Sequence, residues 1–169
     1  MKARSKTQAM RLLDGRGIVY EEIVFPQEIH DALGVAVYAD MPPQAVYKTL
    51  VVLAEPPTAR PALILEPADA ALDLKLAARG MGVKRVEMAS QAEAERLSGL
   101  QVGGISALAL THLRWPVFLD RRAESLDRIV VSAGQRGRNL RLRVVDFMEL
   151  TGAHWIDAAR EAEARDPQP

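Results

Sequence analysis

Two nearly continuous apolar runs, AVYKTLVVLA (45–54) and ALILE (62–66), are separated only by the loop EPPTARP (55–61). Valine, tyrosine, threonine and leucine dominate the first run, and such side chains suit a pleated surface. Alternation places Val46, Lys48, Leu50 and Val52 on one face and Tyr47, Thr49, Val51 and Leu53 on the other. Both faces are otherwise apolar, which predicts a central strand covered on both sides. The loop is too short for a parallel crossover, so the second run is expected to return as the other half of a hairpin. Lys48 is the anomaly. A buried ammonium is costly unless it finds an anion or loses its proton. Either Lys48 lies near a sheet end and snorkels to water, or it serves a ligand.

The remaining pattern interleaves short helices and strands. Helices are expected over 5–16, capped by Ser5, and over 28–39, 71–82, 90–99, 146–152 and 155–164; Ser90 and Glu93 form a capping-box pair. Strands are expected at 18–25, 85–89, 115–120, 128–134 and 139–145. Several connections are too short for crossover helices, so the reading is a mixed α/β sheet with helices outside rather than a doubly wound fold. The 169 residues are read as one domain over 1–169, with a frayed tail from about 160.

Composition narrows the chemistry. The formal net charge is zero, against nonspecific coating of nucleic acid. There is no cysteine, which excludes disulfides, thiolate metal sites and a cysteine nucleophile. His30, His112 and His154 form no H-x-x-H or H-E-x-x-H pair, so no metal and no cofactor are expected. No signal-like run and no stretch of 18 apolar residues occurs, and the expectation is a cytoplasmic protein without a membrane span.

Two glycine-rich segments lack regular periodicity. GLQVGGISALALT (99–111) contains Gly103, Gly104, Ile105 and Ser106; SAGQRGRN (132–139) contains Ser132, Gly134, Arg136, Gly137 and Asn139. Such loops supply backbone N–H donors to a ligand, or serve only as turns. Neither is a phosphate-binding P-loop. Seven arginines lie within 121–143, with Arg141 and Arg143 expected outward and Leu140, Leu142 and Val144 inward. The basic stripe suits a phosphate backbone or a solvated face.

VYKTL, LDLKLAARGMGVKRVEMA, GLQVGGIS, VSAGQRG and WIDAAR stand in an order and spacing that resembles the YbaK family of free-standing aminoacyl-tRNA deacylases, related to the editing domain of bacterial prolyl-tRNA synthetase. The resemblance runs from about residue 11 to 160. It implies a barrel-like mixed α/β fold and deacylation of mischarged tRNA, most simply Cys-tRNA(Pro), by the substrate's own thiol. It makes Lys48 the counterpart of the family's essential lysine. Phe25, Gly103, Gly104, Ile105, Ser106, Ser132, Gly134, Arg136, Gly137 and Asn139 become the counterparts of residues around the tRNA 3′ end. The implied partner is the acceptor end of aminoacyl-tRNA, with prolyl-tRNA synthetase as a candidate second partner. Three positions depart from the pattern: Ala107 and Ala109 replace the usual Pro and Gly of the first loop, Asn139 stands for aspartate, and Phe25 for tyrosine. Ala-tRNA(Pro) cleaved by water, or a non-catalytic module that holds tRNA ends, are the alternatives.

Overall fold

A computed structural model describes residues 4–57 and 60–162. The hairpin is present: β2 (Tyr47–Glu55) pairs antiparallel with β3 (Ala62–Pro67), Lys48 opposite Glu66 and Leu50 opposite Ile64. Around it grows a five-stranded mixed sheet. β5 (Arg85–Met88) adds antiparallel to β2, while β6 (Val117–Asp120) and β9 (His154–Ile156) add in parallel beyond β3. All six residues of β3 are buried, as a strand covered on both faces requires.

A second, three-stranded antiparallel sheet orders β1 (Glu21–Val24), β8 (Arg138–Arg143) and β7 (Arg128–Gln135). A parallel bridge from Val46 to Val130 joins it to the first. The ladders among the described residues do not close into a barrel. β4 (Ala70–Leu72) and β10 (Ala159–Glu161) form a separate antiparallel pair. The helices are α1 (Gln8–Gly15), α2 (Ala32–Tyr38), α3 (Leu74–Met81), α4 (Gln91–Ser98) and α5 (Val144–Thr151). The mixed α/β expectation holds.

The local signals explain most boundaries. Ser90 and Glu93 close the expected capping box on α4. α3 ends on Gly82 at φ +68°, a left-handed conformation that glycine adopts without a Cβ penalty. Thr7, not Ser5, caps α1, accepting from the Met10 N–H at 3.3 Å. In β8, Leu140 and Leu142 are fully buried and Arg141 and Arg143 face outward.

Two expectations fail. The helix expected over 155–164 is absent from the described part, 155–162: Trp155 and Ile156 extend β9 beside β6, and 159–161 pair with β4. Alanine, glutamate and arginine favour a helix there, but the open edge of β6 and the backbone of β4 offer ladders that override propensity. Val144 and Val145, expected to end a strand, begin α5. The tail expected from about 160 lies largely outside the described residues.

Candidate functional site

β5 pairs with β2 only from Val52 onward, and Val46 at the other end bridges to β7. Between them one edge of β2 is left without a strand partner among the described residues, apart from the Ala89 N–H on the Val51 carbonyl at 3.0 Å. A cavity of about 370 Å³ opens there. All five consecutive residues Tyr47 to Val51 line it, so the strand meets it edge-on, side chains of both faces included. The volume falls in the range of small-ligand sites. Aliphatic side chains form much of the wall, with Ile29 and Val35 on one side and Val102 and Ile105 on the other.

The sequence-derived candidates divide. Lys48, Phe25, Gly103, Ile105, Ser132 and Asn139 line the cavity. Ser132 and Asn139 are register partners across β7 and β8, and Asn139 is also opposite Ile23 of β1. The others sit behind it and hold the two glycine loops together. A Cβ on Gly104 would lie 2.9 Å from the Arg136 backbone nitrogen, so the loops touch there through backbone. Gly134, at φ +93°, packs against Ala109 in the same seam. The Arg136 Nε donates to the Val102 carbonyl at 2.7 Å. Ser106 is buried and its Oγ accepts from the Ala109 N–H at 3.2 Å, fixing the turn that Ala107 and Ala109 occupy. Gly137 accepts from the Phe25 N–H at 2.9 Å, which anchors that aromatic wall.

Lys48 lines the cavity, yet its ammonium is already engaged. It donates to the Ala70 carbonyl of β4 and stands 3.4 Å from Glu66 Oε1. About a third of the Lys48 side chain is exposed, whereas Glu66 is buried. Neither carboxyl oxygen of Glu66 has a hydrogen-bond partner, so the contact is an ion pair without good hydrogen-bond geometry. Burial pushes the Glu66 carboxyl above the ordinary carboxylate range, and Lys48 only partly offsets this.

Of the lining residues that escaped the sequence reading, four carry groups that bear on chemistry. The Tyr47 hydroxyl is buried without a partner, and burial pushes its pKa far up, so it stays protonated. The Thr49 hydroxyl is likewise buried without a partner. His30 and Asp31 precede α2; Asp31 is committed to the helix cap, accepting from the Gly34 N–H at 2.6 Å, while His30 is exposed at the rim. Only proximity in the fold brings His30 to the site, and no spacing rule signals it.

The sequence model of the aminoacyl-tRNA editing domain matches residues 26–150. The chain is 30% identical over 158 residues to EbsC of Enterococcus faecalis, provisionally named a Cys-tRNA(Pro)/Cys-tRNA(Cys) deacylase; the match spans 92% of this chain and 94% of that one. Among solved structures, the hypothetical protein APE2540 superposes with a TM-score of 0.81 at 21% identity, over 90% of this chain and 99% of the other. A provisionally assigned trans-editing enzyme for prolyl-tRNA synthetase superposes with a TM-score of 0.77 at 23% identity, over 93% and 99%. These two likenesses show the fold.

Proposed function

The chain belongs to the aminoacyl-tRNA editing-domain family, and from that membership we propose that it is a trans-acting deacylase that removes cysteine from Cys-tRNA(Pro) through the substrate's own thiol. The observation that carries this reading is the make-up of the cavity wall: largely apolar side chains, a single lysine among the polar ones, and no cysteine. Of the titratable lining groups, Asp31 is spent on a helix cap, Tyr47 holds its proton, Lys48 is a cation, and His30 lies exposed at the rim. Such a site positions an ester and stabilises negative charge. Apart from His30 at the rim, it is poorly furnished to generate a nucleophile of its own.

A cysteinyl ester brings the nucleophile with it. The thiolate attacks the ester carbonyl carbon, a C–S bond forms, and the C–O bond to the ribose breaks. The thiol proton ends on the ribose oxygen, leaving free tRNA and a cyclic thiolactone that water later opens. Lys48 stabilises the oxyanion and the departing ribose oxygen. The aliphatic walls fold the small side chain onto the carbonyl. A thiol has a pKa of about 8.5, so it is ionised far more than a serine hydroxyl near neutral pH. Alanine has no internal nucleophile at all. The name carried by EbsC supports a cysteinyl substrate and adds Cys-tRNA(Cys), which the same chemistry would cleave.

One observation favours a second reading. His30 at the rim is an imidazole placed to activate water on Ala-tRNA(Pro). Single-turnover assays on Cys-, Ala- and Ser-tRNA(Pro) and on Cys-tRNA(Cys), with analysis of the released product, separate the two. Thiolactone from cysteinyl substrates, and little turnover of the others, is the expected result. Equal rates on alanine and cysteine, with solvent oxygen in both released acids and loss of activity in His30→Ala, would establish the water route.

A further inference from the structure

Glu66 stands directly opposite Lys48 in the β2–β3 register. The other five residues of β3 are apolar and just as buried. A glutamate that is 1% exposed, with both oxygens lacking a hydrogen-bond partner, is a costly occupant of such a strand. Its neighbours are engaged in other contacts or carry no charge. Asp120 Oδ1 accepts from the Arg122 N–H at 3.0 Å and lies 3.9 Å from the Arg122 guanidinium. Asp69, before β4, accepts from Gln44 at 3.1 Å, and the Tyr47 hydroxyl is neutral. Asp120 and Arg122 are the other charges that act on Glu66, with opposite effects. The ion-pair partner of Glu66 is Lys48.

An ammonium has three N–H donors. One goes to the Ala70 carbonyl, and the Glu66 carboxylate attracts the ammonium as an ion pair at 3.4 Å without taking a hydrogen bond. Donor capacity is left for a group in the cavity. We propose that Glu66 is the positioning residue of Lys48, its carboxylate and the Ala70 carbonyl together fixing the ammonium at the cavity edge, aimed at the reacting ester. The inference rests on Lys48 acting on that ester. A lysine stem is flexible, with its charge at the end of four methylenes. Without the carboxylate the ammonium moves to solvent, and the site keeps its shape but loses its aimed charge.

The test uses the full chain and Cys-tRNA(Pro). Glu66→Gln, which preserves the shape of the side chain, is expected to lower the single-turnover rate about ten- to a hundredfold at neutral pH, the scale of a misplaced catalytic group, with little change in tRNA affinity. Glu66→Asp keeps the charge and should recover part of the rate. Taking the ratio of wild-type to Glu66→Gln rates at each pH cancels the titration of the substrate thiol. That ratio should fall towards one as acidification protonates Glu66, whose buried carboxyl does so above the ordinary carboxylate range. Independently of activity, the Lys48 ammonium should give a resolved signal in nitrogen-detected NMR that is lost in Glu66→Gln. An unchanged ammonium signal, or a variant as fast as wild type at every pH, would overturn the proposal. A Lys48→Ala variant with wild-type turnover would instead remove the role of Lys48, while the ammonium signal would still decide whether Glu66 holds it.

Discussion

Lys48 and Glu66 join the proposed chemistry and a cost in stability within one pair of side chains. Lys48→Ala removes the lining cation and leaves Glu66 to take up a proton. The fold should survive, since the lysine is partly exposed. Single-turnover deacylation is expected to drop at least about a hundredfold, as when a single oxyanion donor is lost, while far-UV circular dichroism stays unchanged. Unaltered turnover would return Lys48 to a snorkelling role. The pair also sets a pH dependence of stability. The folded-state pKa of Glu66 is raised above its ordinary 4.5. Between the two values the folded protein holds a proton that the unfolded chain has released, so stability falls as pH rises through that window and levels off above it. Glu66→Gln lacks this component. Urea unfolding of both proteins across that range should show the difference shifting in the variant's favour with rising pH; parallel curves would mean that Glu66 carries no buried charge.

At the scale of elements, the two glycine loops act as one unit, with backbone against backbone at Gly104 and a left-handed glycine at Gly134. Gly134→Ala adds a methyl 3.0 Å from the Ala109 Cβ in a conformation that costs an L-residue roughly 1–2 kcal/mol. Gly104→Ala forces the loops apart. Both are expected to lower the thermal midpoint by several degrees, with loss of activity following from displaced Ile105 and Ser132. An unchanged midpoint with weakened tRNA binding would show direct ligand contact instead. Of the eleven residues that the motifs mark, six line the cavity and five lie outside its lining. Sequence spacing cannot separate a glycine that meets a ligand from one that meets another loop. Nor could it find β4, whose small residues carry no strand signal, or the strands at 154–161, whose composition favours a helix until an open sheet edge is supplied. The β2–β3 hairpin and the capping box of α4 were legible because their signals are local and do not depend on partners.

At the scale of the whole molecule, the pair β4–β10 ties the far end of the chain to the site. β10 supports β4, and the Ala70 carbonyl of β4 holds Lys48. Ending the chain after Ala158 removes β10 but leaves the Asp73 N–H on the Ala158 carbonyl. Activity is therefore expected to fall more steeply than stability, checked by single-turnover rate against thermal midpoint. Equal loss of both would make β10 a plain structural strand. The opposite end of the chain is bound in just as closely. Arg138, almost fully buried, donates to Glu22 and to the Ser5 carbonyl and lies 3.4 Å from the Met10 sulfur.

These long reaches have a consequence for the chain while it is being made. Glu21 pairs with Arg141, more than a hundred positions later, and α1 packs on β7. At a translation rate of about 5–20 residues per second, the first segment waits on the order of ten seconds outside the ribosome before its partners exist. The β2–β3–β5 ladder can assemble in that interval from neighbouring residues. The apolar face of α1, with Ala9, Met10 and Leu13, lacks its β7 contact until that strand emerges. Phe25 and Asn139 meet only then. A nascent copy is thus without its complete cavity for most of its synthesis, and its first helix waits for its β7 contact through most of that time.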